Sequence, residues 1–204
     1  MASHEYQVIC SRRIFEGRVA AVRSDQVLMP GGVSSQRDVF ELPGAVGIVA
    51  LDENEKVLLV RQYRHPVGRL LWEIPAGLLD STRESAAQAA ERELFEEGRV
   101  RAAEWFTLVD TLTSPGMSDE TVRILLARNL VDVPAPERHV GIHEEAEIEL
   151  AWVPLDRAVE RCLSGDLENG ITVAGLLAAR LALDQGLAGL RAPLAPWRAR
   201  KSPA

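Results

Sequence analysis

Several things are scarce in this chain. Among 204 residues there are only two cysteines, Cys10 and Cys162, and neither has a metal-binding spacing. That excludes a disulfide framework or a zinc ribbon, and it fits a reducing, cytoplasmic setting. Aromatic residues make up 5%. No apolar run approaches the roughly 18 residues of a membrane span; the richest, Ile171 to Leu183, is broken by Arg180. The Met1–Tyr6 start lacks the charged and apolar regions of a signal peptide. Basic charge is also in deficit, with 23 Lys and Arg against 30 Asp and Glu and a net charge of −7. That argues against nucleic acid or an anionic membrane as partner. A hydrophobic fraction of 47% and a charged fraction of 26% describe an ordinary globular protein, long enough for one sizeable core and a small appended module.

What the chain has in quantity is carboxylate on one helix. Glu93, Glu96 and Glu97 fall within an arc of about 100° on helical geometry. Like charges so placed repel, and an oxygen-loving divalent cation removes the repulsion. Such a metal points in turn to phosphate chemistry. Ser81 and Glu84 have capping-box spacing, which predicts a helix N-cap at Ser81. Gly98 is placed to end the helix in the left-handed conformation. Arg92, beside Glu93 and four residues before Glu96, can hold and orient a carboxylate.

Upstream, four short β segments are predicted at 6–10, 18–23, 26–29 and 36–41, with a hairpin at Pro30-Gly31-Gly32. Two apolar strands at 45–51 and 56–61, joined by Asp52–Glu55, read as an antiparallel pair. Further strands are expected at 71–74, 105–111, 121–127 and 148–153, and helices at 155–163 and 171–183. The order is not the strict strand–helix alternation of a doubly wound sheet. A mixed sheet between helices, of the α+β class, fits better.

Gly77, Glu84 and the run Arg92-Glu93-Leu94-Phe95-Glu96-Glu97 resemble the Nudix box, G-x5-E-x7-R-E-U-x-E-E-x-G-U with U aliphatic. There are two departures. Six residues separate Gly77 from Glu84, and the final glycine slot holds Arg99, with Gly98 one place early. The resemblance implies an α/β/α sandwich with a mixed sheet over residues 44–190. It also implies a small N-terminal antiparallel β domain over 1–43 that pairs two subunits; 191–204 remains as a flexible tail. It implies two or three Mg²⁺ or Mn²⁺ ions held by Glu93, Glu96, Glu97 and the Ala76 carbonyl.

The segment Ser114 to Glu120 resembles a loop of the ADP-ribose pyrophosphatase subfamily, with Pro115 sixteen residues beyond position 99. Gln62-Tyr63-Arg64 and Trp72 to Gly77 resemble the same subfamily. The expected substrate is therefore ADP-ribose, contacted by Arg37, Arg64, Glu73, Pro115, Gly116, Ser118 and Glu120 and cleaved to AMP and ribose 5-phosphate. The alternatives are another nucleotide sugar, such as GDP-mannose, or a non-catalytic nucleotide-sugar sensor. Glu145 is the expected catalytic base and Glu144 the second choice, ahead of His143 and Glu147, while His65 is a further candidate for orienting phosphate.

Overall fold

The computed structural model describes residues 5–79, 84–139 and 148–198. Its N-terminal part is a three-stranded antiparallel sheet of β1 (Val8–Glu16), β2 (Ala21–Leu28) and β3 (Ser34–Glu41), in that order. The β2–β3 hairpin turns at Gly31 and Gly32, both at positive φ, as expected. The two segments predicted at 18–23 and 26–29 are one strand. Ser24 and Asp25 continue the ladder opposite Asp38 and Arg37, and the Asp25 carboxylate is bonded by the Arg23 guanidinium at 2.9 Å.

The main sheet runs β7 (Ala76–Leu78), β4 (Ala45–Ala50), β9 (Thr121–Asp132), β8 (Val100–Leu112). β4 and β9 are parallel and the other neighbours antiparallel, so the sheet is mixed. A second sheet runs β10 (Glu149–Pro154), β5 (Lys56–Arg64), β6 (Arg69–Glu73). The expected β4–β5 ladder is thus corrected. Between these strands only the Leu51–Val57 bridge forms, and beyond it they diverge into different sheets. β4 and the Val57–Val60 stretch of β5 are apolar and buried on both sides, and a continuous apolar run carries no pairing information.

Alternation along β4 divides the core. Val46, Ile48 and Ala50 face α1 (Ala86–Glu96), meeting Ala86, Ala89, Ala90 and Leu94. Ala45 and Val49 face α2 (Leu155–Ser164) and α3 (Gly170–Asp184), meeting Leu155, Ala158, Leu176 and Ala179. This is the expected sandwich. Among the described residues no helix is long and apolar enough to cross a membrane.

Residues 191–198, assigned from sequence to a flexible tail, lie against β8 and β9. Thr107 bonds to the carbonyls of Arg191 and Ala192, and Trp197 packs on the α1 side of the core. The anchor is Arg123, buried inside β9. It pairs with Asp110, donates to the carbonyls of Ala195 and Pro196, and stacks 5.0 Å from the Trp197 ring centre. A buried guanidinium needs its donors satisfied, and the C-terminal segment supplies part of that need.

Candidate active site

The acidic helix begins later than its sequence suggests. Ser81 lies outside the described residues, and the N-cap is Ser85. Its hydroxyl accepts from the Gln88 amide at 3.2 Å, while the Gln88 side chain accepts from the Ser85 amide at 3.0 Å. Ser85 and Gln88 thus form the capping box, and Glu84, just before it, is bonded by Arg92. The glycine at the other end is corrected as well. Arg99, not Gly98, takes the left-handed conformation, at φ 56°, and its carbonyl accepts from Val133. Gly98 serves close packing. A Cβ there would stand 2.7 Å from the Leu94 carbonyl oxygen and 2.9 Å from Leu58 Cδ2.

β7 is a three-residue strand that lies under the helix and gives the carboxylates their seat. Gly77 has no side chain, and a Cβ at that position would overlap the Glu93 carboxylate. One residue earlier, the Ala76 amide donates to Glu97 at 3.0 Å. Both carboxylates are nearly buried, at 8% exposure each, yet remain in hydrogen-bonding surroundings. The strand itself is fixed because Gly77 and Ala76 pair with Val46 and Gly47 of β4, and Ile48 donates to the Pro75 carbonyl.

Arg92 gathers the rest. Its guanidinium bonds Glu93 at 2.5 Å, Glu96 at 3.3 Å, both oxygens of Glu84 at 3.2 and 3.3 Å, and the Leu78 carbonyl at 3.2 Å. Burial alone would lower its pKa. The Glu84 hydrogen bond and the Glu93 charge outweigh that and raise it, so the charge is permanent. Among the described residues no three carboxylate, imidazole or thiol groups are gathered closely enough to grip an ion without adjustment. The donors that line the seat are nonetheless all oxygen, and hard divalent cations suit such donors.

The sequence-derived substrate residues fare unequally. Arg64 and Glu73 are brought together in a two-pronged ion pair at 2.6 to 3.2 Å. Glu73, 1% exposed, holds the Arg64 guanidinium from below the surface. Arg37 lies on β3 and bonds to Ser35 and the Gln36 carbonyl, within its own strand. Pro115, Gly116, Ser118 and Glu120 share one loop, where Ser118 accepts from the Glu120 amide and Glu120 accepts from Thr113. Glu144, Glu145, His143 and Glu147 lie outside the described residues. His65 opens a 3₁₀ turn at the end of β5. Sequence reasoning missed Asp119, which ties that loop to β3, and Arg123. A single arginine in the apolar run Thr121–Ala127 is a readable sign of a buried ion pair.

A family model for the NUDIX domain matches residues 41–171, a span that takes in β7, the acidic helix and both sheets of the sandwich. The chain belongs to the Nudix family. Members of this family generally work with divalent metals. An ADP-ribose pyrophosphatase of Mycobacterium tuberculosis (strain ATCC 25618 / H37Rv) is 48% identical over 178 residues, 87% of this chain and 84% of that protein. A methanol dehydrogenase activator of Bacillus methanolicus is 33% identical over 76% of this chain and 82% of its own length. Among solved structures, an ADP compounds hydrolase superposes with a TM-score of 0.78 at 20% identity, covering 91% of this chain and 98% of its own, a likeness of fold.

Proposed function

We propose that this Nudix protein is a divalent-metal-dependent hydrolase that cleaves the diphosphate of ADP-ribose to AMP and ribose 5-phosphate. The observation that carries the reaction class is the seat at Gly77, where two nearly buried carboxylates on one helix meet a strand backbone with no side chain in the way. The substrate reading is supported by the 48% identity to an ADP-ribose pyrophosphatase and by the loop from Ser114 to Glu120.

In this reading Glu93 and Glu97, with Glu96 and the Ala76 carbonyl, would hold two or three Mg²⁺ or Mn²⁺ ions. When bound, the metal neutralises the diphosphate and acidifies the attacking water. Arg92 holds Glu93 and Glu96 on one side of the seat, with Glu84 as its counter-anchor. Arg64, aimed by Glu73, and Arg37 present positive charge to the phosphates. Glu145, or Glu144 beside it, takes the proton of the attacking water, whose oxygen bonds to phosphorus as the bridging P–O bond breaks. A pocket of about 570 Å³ between the N-terminal sheet and β7, lined by Arg13, Arg18, Glu41, Leu42 and Leu78, has the volume of a small-molecule site. The N-terminal sheet pairs two copies, and the enzyme works in the cytoplasm.

Replacing Glu93 or Glu97 by Gln keeps the shape and removes the charge. Each variant is expected to lose at least about a hundredfold in kcat, with circular dichroism and melting temperature close to wild type. Wild-type turnover by both variants would remove the metal assignment.

A further inference from the structure

The Thr113–Glu120 loop holds its own shape. The amides of Met117 and Ser118 share the Ser114 carbonyl at 3.0 and 2.8 Å, and Thr113 and Ser118 bond to Glu120 at 2.5 and 3.0 Å. None of these bonds decides where the loop stands relative to the acidic helix. Asp119 supplies that. Its amide donates to the Phe40 carbonyl at 3.1 Å, and its carboxylate accepts from the Leu42 amide at 3.0 Å. The Phe40 amide answers by donating to Met117 at 2.8 Å, which makes a parallel bridge between Phe40 and Ser118. The other carboxylate oxygen of Asp119 stands 3.7 Å from Arg23, whose guanidinium also holds Asp25 and Glu41.

Leu42 is close to the site along the chain. Pro43 and Gly44 follow it, the Gly44 carbonyl accepts from Leu79 at 2.8 Å, and Ala45, Val46 and Gly47 then pair with Leu78, Gly77 and Ala76. Only two residues separate the Asp119 anchor from the strand pairing that seats Glu93 and Glu97. The short segment Leu42–Gly44 thus joins the anchor of the loop to the strand pairing of the seat.

We infer that Asp119 is a positioning residue. By accepting from Leu42 it fixes the Ser114–Glu120 loop at a set distance from Ala76 and Gly77, so that one nucleotide sugar can reach the loop and the acidic helix together. This rests on the reading of that loop as a substrate contact. A short carboxylate is suited to the task, since it reaches the Leu42 amide and keeps a second oxygen toward Arg23.

The test compares Asp119→Ala and Asp119→Asn with wild type, using ADP-ribose turnover and amide hydrogen exchange on the full chain. Asp119→Ala should raise KM about tenfold, the 1.4 kcal/mol of one lost hydrogen bond, with kcat within about threefold of wild type. Exchange should quicken at Leu42 and across 113–120, and stay unchanged in α1 and β4. Asparagine retains an acceptor for Leu42, so Asp119→Asn should bring KM back to within about threefold of wild type. An unchanged KM in Asp119→Ala, with or without a lower melting temperature, overturns the inference, as does an Asn variant as impaired as the Ala one. If wild type does not hydrolyse ADP-ribose, the substrate reading fails on its own. Exchange then decides the pin separately, and equal protection of 113–120 in wild type and Asp119→Ala removes it.

Discussion

Two adjacent residues at the end of the acidic helix show how far a motif can shift without losing its physics. The family pattern places glycine where this chain has Arg99, and that residue adopts the left-handed backbone a glycine would take without cost. Gly98 is needed for a different reason, the close approach of Leu94 and Leu58. The pair therefore makes opposite predictions. Arg99→Gly should stabilise by about 1 kcal/mol, because a side chain at positive φ costs about 1–2 and glycine returns part of that gain as unfolded-state entropy. Gly98→Ala should destabilise by about 1–3 kcal/mol through overpacking. Urea denaturation of both variants checks the signs, and like signs would contradict this account of the turn. The sequence showed where the glycine had moved. It did not show which of the two residues would carry the strained backbone, because that depends on Leu58, a residue of β5 forty positions away.

Among the elements, those with a clear period were legible and those whose partners are remote were not. The acidic helix, the β2–β3 hairpin and both C-terminal helices could be read from spacing, turns and apolar periodicity. The separation of β4 from β5 could not, since two buried strands with a short acidic connection read as a hairpin whether or not they pair. The C-terminal segment was hidden for the same reason. Its hold depends on Arg123 and Asp110, and the Asp110 carboxylate is also bonded by Arg191 at 2.7 Å. Burial raises the pKa of Asp110, but the hydrogen bonds and charges of the two arginines prevail and hold it below 3.8, its ordinary value. A depressed carboxylate pKa contributes stability that is present above the unfolded value and lost as pH falls through the folded one. The segment should therefore hold at neutral pH and loosen progressively below about pH 4. Asp110→Asn should lose that part of the acid dependence and about 2–4 kcal/mol at pH 7, because Arg123 stays buried without its anion. Acid titration followed by Trp197 fluorescence, with Trp197→Phe as the blank, measures both effects. A transition that is the same in Asp110→Asn would contradict the assignment.

The whole molecule divides its apolar surface unevenly. The sandwich buries β4, the middle of β5 and the first half of β9 on both faces, whereas all nine residues of β1 are exposed, Ile9, Ile14 and Phe15 among them. A three-stranded sheet with so much uncovered apolar surface is marginal alone. This supports the proposed pairing of two copies through the N-terminal sheet, and sedimentation at micromolar concentration should give the mass of two chains. A single-chain mass would contradict it. The candidate site was legible from the sequence where chemistry demands residue type at fixed spacing, as with Gly77, Arg92, Glu93 and Glu97. It was less legible where residues act through one another. The pairing of Glu73 with Arg64 could not be read, because the two stand nine residues apart on different strands. Asp119 went unread because its partner is a backbone amide at the end of another strand.

The central claim is that the seat between Gly77 and the acidic helix serves metal-dependent cleavage of ADP-ribose. It is tested most directly by incubating the purified chain with ADP-ribose, with and without Mg²⁺ or Mn²⁺, and measuring AMP and ribose 5-phosphate. The account predicts equal amounts of the two products, formed only with metal and faster than cleavage of GDP-mannose under the same conditions. Metal-independent release, or no AMP with either ion, would contradict it.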